Sequence, residues 1–419
     1  SPNFSARDFR NTGMEAHSGQ SITPAWEAVA LERPARLHRQ RASYRIGVPR
    51  EVANEERRVS LVPYAVGVLV ANGHQVFVQK GAGLLSRYED REYVELGAEI
   101  ALSAEELYEK SEIIVKIAPP TPEEYVLFRD GQVLLSAVHL GVTPPDFFRL
   151  LVDRNVTGIG YEFIQDAEHS FPLVRMMHEI AGSLSVQIAA HYLESPQGGQ
   201  GIVLGGISGV PPATVVILGA GTIAEYAART ALGFGAQVVI LDDNLSALRR
   251  IENALDRRVI TAMANTEYIA RAVRSADVLI GAVMRSGYRA PIWVTEAMVA
   301  SMKPGSVIVD VVIDQGGCIE TSRPTTLSRP VYVEHGVIHY CVPNMPAAVA
   351  RTASLALTNV LLPLLLEIGE AGSLNDALWR SVSLRSGTYA YRRYITKKHL
   401  ASQLELPHRD IELLIAAGI

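Results

Sequence analysis

Residues 214–244 read TVVILGAGTIAEYAARTALGFGAQVVILDDN. An apolar, largely β-branched run (Val215, Val216, Ile217, Leu218) enters Gly219-Ala220-Gly221. A helical segment follows, and a second apolar run over 238–241 ends in Asp242. Strand, glycine turn, helix, strand and acid in that order are the parts of a dinucleotide-binding βαβ unit. Gly219 permits the tight turn out of the strand, and Gly221 lets a pyrophosphate approach the backbone at the helix N-terminus. Ala224 stands at the third glycine position and is small enough for close helix–strand packing. The acid at Asp242, about 20 residues on, is placed to accept hydrogen bonds from an adenosine ribose. Its charge repels a 2′-phosphate, as does that of Asp243, so NAD is expected over NADP.

Outward from this unit the chain keeps alternating strand and helix. Strands are predicted at 45–48, 74–80, 113–117, 132–139 and 156–161, and after the fingerprint at 258–260, 278–280 and 306–311. Helices are predicted at 63–72, 104–110 and 173–193. Such alternation implies parallel sheets covered by helices on both faces. The expected fold is therefore α/β, with two Rossmann-like doubly wound domains. The pattern predicts a cofactor domain over 173–352 inserted into a second domain made of 44–172 and 353–419. Residues 1–43 are polar and aperiodic, and are expected to form an arm or disordered leader, with a short helix at 26–36 as an option. The chain starts at Ser1, so a trimmed N-terminus is expected.

Composition narrows the function. At 419 residues there is length for two cores, and 48% hydrophobic with 20% charged residues is the balance of a soluble globular protein. A net charge of −5 gives no electrostatic footprint for nucleic acid. Two cysteines, Cys318 and Cys341, make no disulfide framework, and a reducing cytoplasm is the simplest setting. The apolar stretch 353–366, interrupted by Asn359 and Pro363, falls short of the ~20 residues of a membrane span and reads as a buried helix. No secretory signal is read, and no metal site is expected.

Four further segments bear on chemistry. Arg57 and Arg58 precede a helix, where an arginine fork suits a substrate carboxylate and where a solvated loop charge is the alternative. His139 closes an apolar strand at the end that lines the ligand crevice of open α/β sheets, although a packed histidine fits the same pattern. Asp314 closes another strand before Gly316-Gly317, as a crevice acid or as a turn cap. Tyr340-Cys-Val-Pro-Asn344-Met-Pro346 forms a Pro/Asn loop where the chain leaves the cofactor unit.

Together these segments resemble the alanine dehydrogenase and transhydrogenase N-terminal family. The matching stretches are RIGVPRE (45–51), RRVSLVP (57–63), HL (139–140), GGQGIVLGGISGVPP (198–212), the fingerprint, IGAV (280–283), MKPGSVIVDVVIDQGGCIETSRPTT (302–326) and HYCVPNMPAAVARTAS (339–354). The resemblance implies reversible oxidative deamination of L-alanine, or a similar small amino acid, to pyruvate with NAD in a homohexamer. It implies Arg58 as the carboxylate clamp, His139 as the catalytic histidine with Asp314 beside it, and Asp242 as the ribose acid. His178 and Asn344 fall on the cofactor side. The chain departs from the family at three places. The family strand ending Lys-x-Lys-Glu-Pro here reads Lys116-Ile-Ala118-Pro-Pro, so the second, substrate-touching lysine is absent. Lys116 shares a face with Ala118 but lies ~6–7 Å back, and reads either as a replacement substrate contact or as a structural lysine. His178 and Ser183 stand where the family has Ser and Arg, and the segment 385–413 diverges. A saccharopine-type dehydrogenase, or an NAD-binding subunit of a larger assembly that has lost turnover, are the alternative readings.

Overall fold

The computed structural model describes residues 42–284 and 289–417. The arm expected over 1–43, with its helix at 26–36, lies outside the described residues except for 42 and 43.

Six parallel strands open the fold: β1 (Arg45–Val48), β2 (Gln75–Gln79), β3 (Glu99–Ala101), β4 (Ile113–Val115), β5 (Val133–Ser136) and β6 (Thr157–Gly160). They lie in the order β3-β2-β1-β4-β5-β6. The first strand of the chain thus sits at the centre, and the direction of winding reverses between β1 and β4. That switch point opens a crevice at the carboxyl ends of the strands, where ligands bind in this fold. A second sheet repeats the order with β7 (Thr214–Leu218), β8 (Gln237–Asp242), β9 (Ile260–Met263), β10 (Val278–Gly281), β11 (Val307–Asp310), β12 (Val331–Glu334) and β13 (Val337–Tyr340). Its order is β9-β8-β7-β10-β11-β13-β12, with β12 antiparallel at the edge and the switch point between β7 and β10. The fold is α/β with two Rossmann-like sheets.

The chain then returns to the first sheet. β14 (Thr388–Tyr391) pairs antiparallel with β6, and β15 (Tyr394–Ile395) pairs antiparallel with β14. The sequence pattern predicts only mixed polar and helical character here, because both strands are short and the β6 partner of β14 is more than 200 residues away. What seats them is a size match: Tyr389 is fully buried over Gly158 and Gly160 of β6, and a Cβ on Gly158 would lie 2.6 Å from its ring. The strand expected at 258–260 is displaced toward Ile260–Met263, since Asp256 and Arg257 adopt the left-handed conformation of a turn.

Two long helices carry the site. Pro172–Tyr192 packs so closely on the dinucleotide helix Thr222–Phe234 that a Cβ on Gly182 would sit 2.4 Å from the Ile223 carbonyl. Ala350–Ala371 runs through Pro363 and buries Leu357, Leu361, Leu365 and Ile368 among the first sheet's apolar side chains. With the turn before it, this segment (Met345–Ala371) is 27 residues and apolar enough to cross a membrane. It is thus longer than the apolar run 353–366 suggested, but it lies within that core. It also pins the loop bearing Arg58: Val59 N–H donates to Ser354 Oγ (2.9 Å) and Val62 N–H to Thr358 Oγ1 (3.1 Å).

Candidate active site

Gly219 has φ of +101°, and a Cβ there would lie 2.7 Å from the Ala282 carbonyl that follows β10, so only glycine fits. Gly221 is the N-cap of the dinucleotide helix, and its missing Cβ would meet nothing within 4 Å. No side chain caps that N-terminus, whereas the two helices that follow β8 and β9 are capped by Asn244 and Asn265. Uncapped N–H groups, positive dipole and open space together suit a pyrophosphate. Ala224 is fully buried at the close approach of helix and sheet. Asp242, at the end of β8, accepts from Ala220 N–H (2.7 Å) and Asn244 N–H (2.7 Å), which orients its carboxylate at the rim of the turn. The turn therefore fits a dinucleotide.

Across from it, the carboxyl ends of β1, β4, β5 and β6 present buried charge. Arg58 is 6% exposed; its Nε and Nη2 donate to Glu56 at 2.7 Å each, and its Nη1 meets Met177 Sδ at 3.3 Å. Asn344 Nδ2, from the loop after β13, donates to the same Glu56 carboxylate at 3.1 Å. Burial raises the Glu56 carboxyl, but the Arg58 and Asn344 donors outweigh it and hold it below the usual carboxylate range. A cleft of about 450 Å³ opens beside this pair, lined by Arg50, Glu56, Arg57, Arg58, Leu84 and Leu85 among others.

Lys116 is 1% exposed, and its ammonium is taken up by Glu124 (2.7 Å) and Glu51 (3.4 Å). The same Glu51 accepts from Ile117 N–H (2.6 Å) and Ala118 N–H (3.4 Å), so it holds the β4 strand end. Burial pushes Glu51 up despite Lys116. Ala118 itself is buried.

His139 lies just past β5, exposed, with φ of +46°. That unusual backbone is fastened by Glu162, whose carboxylate accepts Val138 N–H (2.9 Å) and His139 N–H (2.9 Å). Asp314 lies in the 3-10 turn Ile313–Gln315 after β11, on the other sheet. Its own surface is open, yet the walls around it desolvate the carboxyl and raise it, while backbone N–H groups and the charge of His139 pull the other way. His139 and Asp314 thus follow strands of different sheets. His178 is half-buried on Pro172–Tyr192, one residue past the Met177 that touches Arg58, and burial lowers its imidazole.

Glu51, Glu56 and Glu162 escape the sequence reading, although each is an acid within three residues of a strand end or of an arginine. One surface group, Glu296, Glu334 and His335, has ligand atoms within 4.8 Å of one another, but His335 pairs with Glu296 (2.9 Å) and Glu334 with Arg323 (3.1 Å).

Two doubly wound sheets and a glycine turn suited to a dinucleotide define a nucleotide-binding protein of the Rossmann class. More narrowly, the chain belongs to the alanine dehydrogenase/PNT family, whose N-terminal and C-terminal domain models match residues 47–181 and 185–398. It is 45% identical to an alanine dehydrogenase of Methanococcus maripaludis over 368 residues, 88% of this chain and 98% of that protein. With the Bacillus subtilis alanine dehydrogenase the identity is 44%, over 86% of this chain and 94% of that one. A solved L-alanine dehydrogenase structure superposes with a TM-score of 0.81 at 42% identity, covering 86% of this chain and 99% of that one.

Proposed function

We propose that the chain catalyses the reversible NAD-dependent oxidative deamination of L-alanine to pyruvate and ammonia. Residues 44–172 with 353–419 serve as the substrate half and 173–352 as the cofactor half. The observation that carries the reading is the glycine turn at Gly219 and Gly221, uncapped and open to a dinucleotide, in a chain of the alanine dehydrogenase family. Kinship of 40–45% with alanine dehydrogenases over most of the chain supports the substrate.

The residues divide the work by position. Gly219, Gly221 and Ala224 shape the pyrophosphate cradle, Asp242 holds the adenosine ribose, and His178 and Asn344 line the cofactor side. NAD held in that cradle would supply the hydride acceptor for the substrate Cα–H. Arg58 holds the substrate carboxylate through the edge not engaged by Glu56, which fixes Cα in place for transfer. His139 takes a proton from the substrate ammonium, gives it up to solvent at its exposed face, and then takes one from the water that adds to the imine. Asp314 steadies the imidazolium that results. Lys116, with both neighbouring carboxylates on its ammonium, we assign to holding the strand end beneath Ala118 rather than to the substrate. A homohexamer, which rests on the family resemblance, and a cytoplasmic setting, which rests on the two unpaired cysteines, belong to the same reading.

The test is NADH formation by the purified protein across a panel of amino acids, with NAD affinity measured in parallel. L-Alanine is expected to give the highest kcat/KM, and His139→Ala to abolish turnover while NAD still binds. Tight NAD binding with no turnover on any amino acid would instead mark a nucleotide-binding subunit. Loss of NAD binding in the variant would make His139 a structural residue.

A further inference from the structure

We propose that Glu56 is the positioning residue that aims Arg58 at the substrate and ties it to the cofactor-side loop; this rests on Arg58 being the carboxylate clamp. The carboxylate of Glu56 is 3% exposed and gathers donors from both sheets. It accepts from Arg58 Nε and Nη2 (2.7 Å each), from Arg57 N–H (3.1 Å) and Arg58 N–H (3.0 Å), and from Asn344 Nδ2 (3.1 Å). A guanidinium held by two parallel hydrogen bonds has its plane fixed, because the arginine fork matches the carboxylate in geometry as well as charge.

The partners of Arg58 are unequal in a useful way. One edge of the guanidinium is locked by a carboxylate. Among the described residues its Nη1 meets only the thioether of Met177 (3.3 Å), a weak acceptor that an incoming carboxylate displaces at little cost. Strong bonds set the direction, and the weak one yields to substrate.

The same loop reaches the other half of the molecule twice. Asn344 follows β13 in a left-handed conformation (φ +54°) and delivers its amide to Glu56. Next door, Glu55, also left-handed (φ +58°), accepts from Leu327 N–H (2.6 Å) and Ser328 N–H (3.0 Å) of the cofactor-side chain. The segment that carries the clamp is therefore the segment that fastens substrate half to cofactor half. A buried ion pair alone is weak evidence of stabilisation, since desolvation offsets much of the attraction. Here the pair fixes an orientation, and the orientation is what substrate binding needs.

The experiment compares Glu56→Gln, Arg58→Ala and the double variant for pyruvate KM, kcat and NADH affinity. Glu56→Gln keeps the shape but turns an N–H donor toward the guanidinium. Pyruvate KM is expected to rise about tenfold or more, by the cost of a misplaced clamp, with NADH affinity within about twofold. If Glu56 acts through Arg58, adding Glu56→Gln to Arg58→Ala changes KM no further. Additive effects, or an unchanged KM in Glu56→Gln while Arg58→Ala raises it, overturn the positioning role alone. An unchanged KM in Arg58→Ala overturns the clamp reading beneath it. Should Glu56→Gln not fold, Glu56→Asp, which retracts the carboxylate by one methylene, is expected to raise KM at least threefold, and an unchanged KM there overturns the inference.

Discussion

Replacing Lys116 with methionine separates a structural lysine from a substrate contact. Methionine is similar in length and apolar, so the cavity it leaves is small and the effect is electrostatic. The ammonium lies 2.7 Å from Glu124 and 3.4 Å from Glu51, and all three side chains are less than a tenth exposed. Removing one partner from a buried charge cluster costs about 3–5 kcal/mol, because the carboxylates left behind are desolvated and unpaired. Both keep other donors: Glu51 retains Ile117 N–H, and Glu124 retains Tyr108 Oη–H (3.2 Å) and Thr121 N–H (2.8 Å). The lower end of that range is therefore expected, about 3 kcal/mol, a large share of a typical domain's stability. The deficit carries a pH signature. Burial already raises Glu51, and without Lys116 it rises further, so protonation relieves the strain and the deficit shrinks as pH falls from 8 toward 5. Urea unfolding of both proteins at the two pH values, with pyruvate KM alongside, reads this directly. A stability change under about 1 kcal/mol together with a large rise in KM would refute the argument and return Lys116 to the substrate.

Two other perturbations follow from buried contacts. Burial raises the Asp310 carboxyl from an ordinary 3.8 to about 6. A raised carboxyl contributes stability that is full below its unfolded value and lost as pH climbs through about 6, a swing of about 3 kcal/mol. Asp310→Asn, which keeps an acceptor for Cys318 N–H (3.1 Å), should gain on the parent protein between pH 4 and 7, and a pH-independent stability difference would count against burial as the cause. Gly182→Ala places a Cβ 2.4 Å from the Ile223 carbonyl and 3.0 Å from Ala227 N. Forcing the two helices apart is expected to cost about 1–3 kcal/mol and to weaken NADH binding at the helix that starts after Gly221, seen by fluorescence titration. Unchanged affinity would show that the helices slide without disturbing the cradle.

The parts of this protein that its sequence determined are those whose causes are local. Gly219 needs a backbone that only glycine adopts, the run 215–218 needs a buried strand, and Asp242 falls at the end of the next one, so the nucleotide unit is written in consecutive residues. Strand and helix alternation likewise carried the α/β class, and the motif around IVDVVIDQGG carried the family. Tertiary structure decided where charge meets charge. Nothing local in Lys116 tells that Glu51 and Glu124 will close over its ammonium, because that cluster joins residues 65 and 8 positions away across strand ends. Glu56 bonds Asn344 from 288 residues off, and the backbone of His139 is held by Glu162 from 23 residues on. The tail strand β14 was hidden for the same reason, since its pairing depends on glycines in β6 that leave room for Tyr389. Periodicity reports which face a residue takes. It carries no record of which distant residue will stand opposite, and in a site built from two sheets that pairing sets the chemistry.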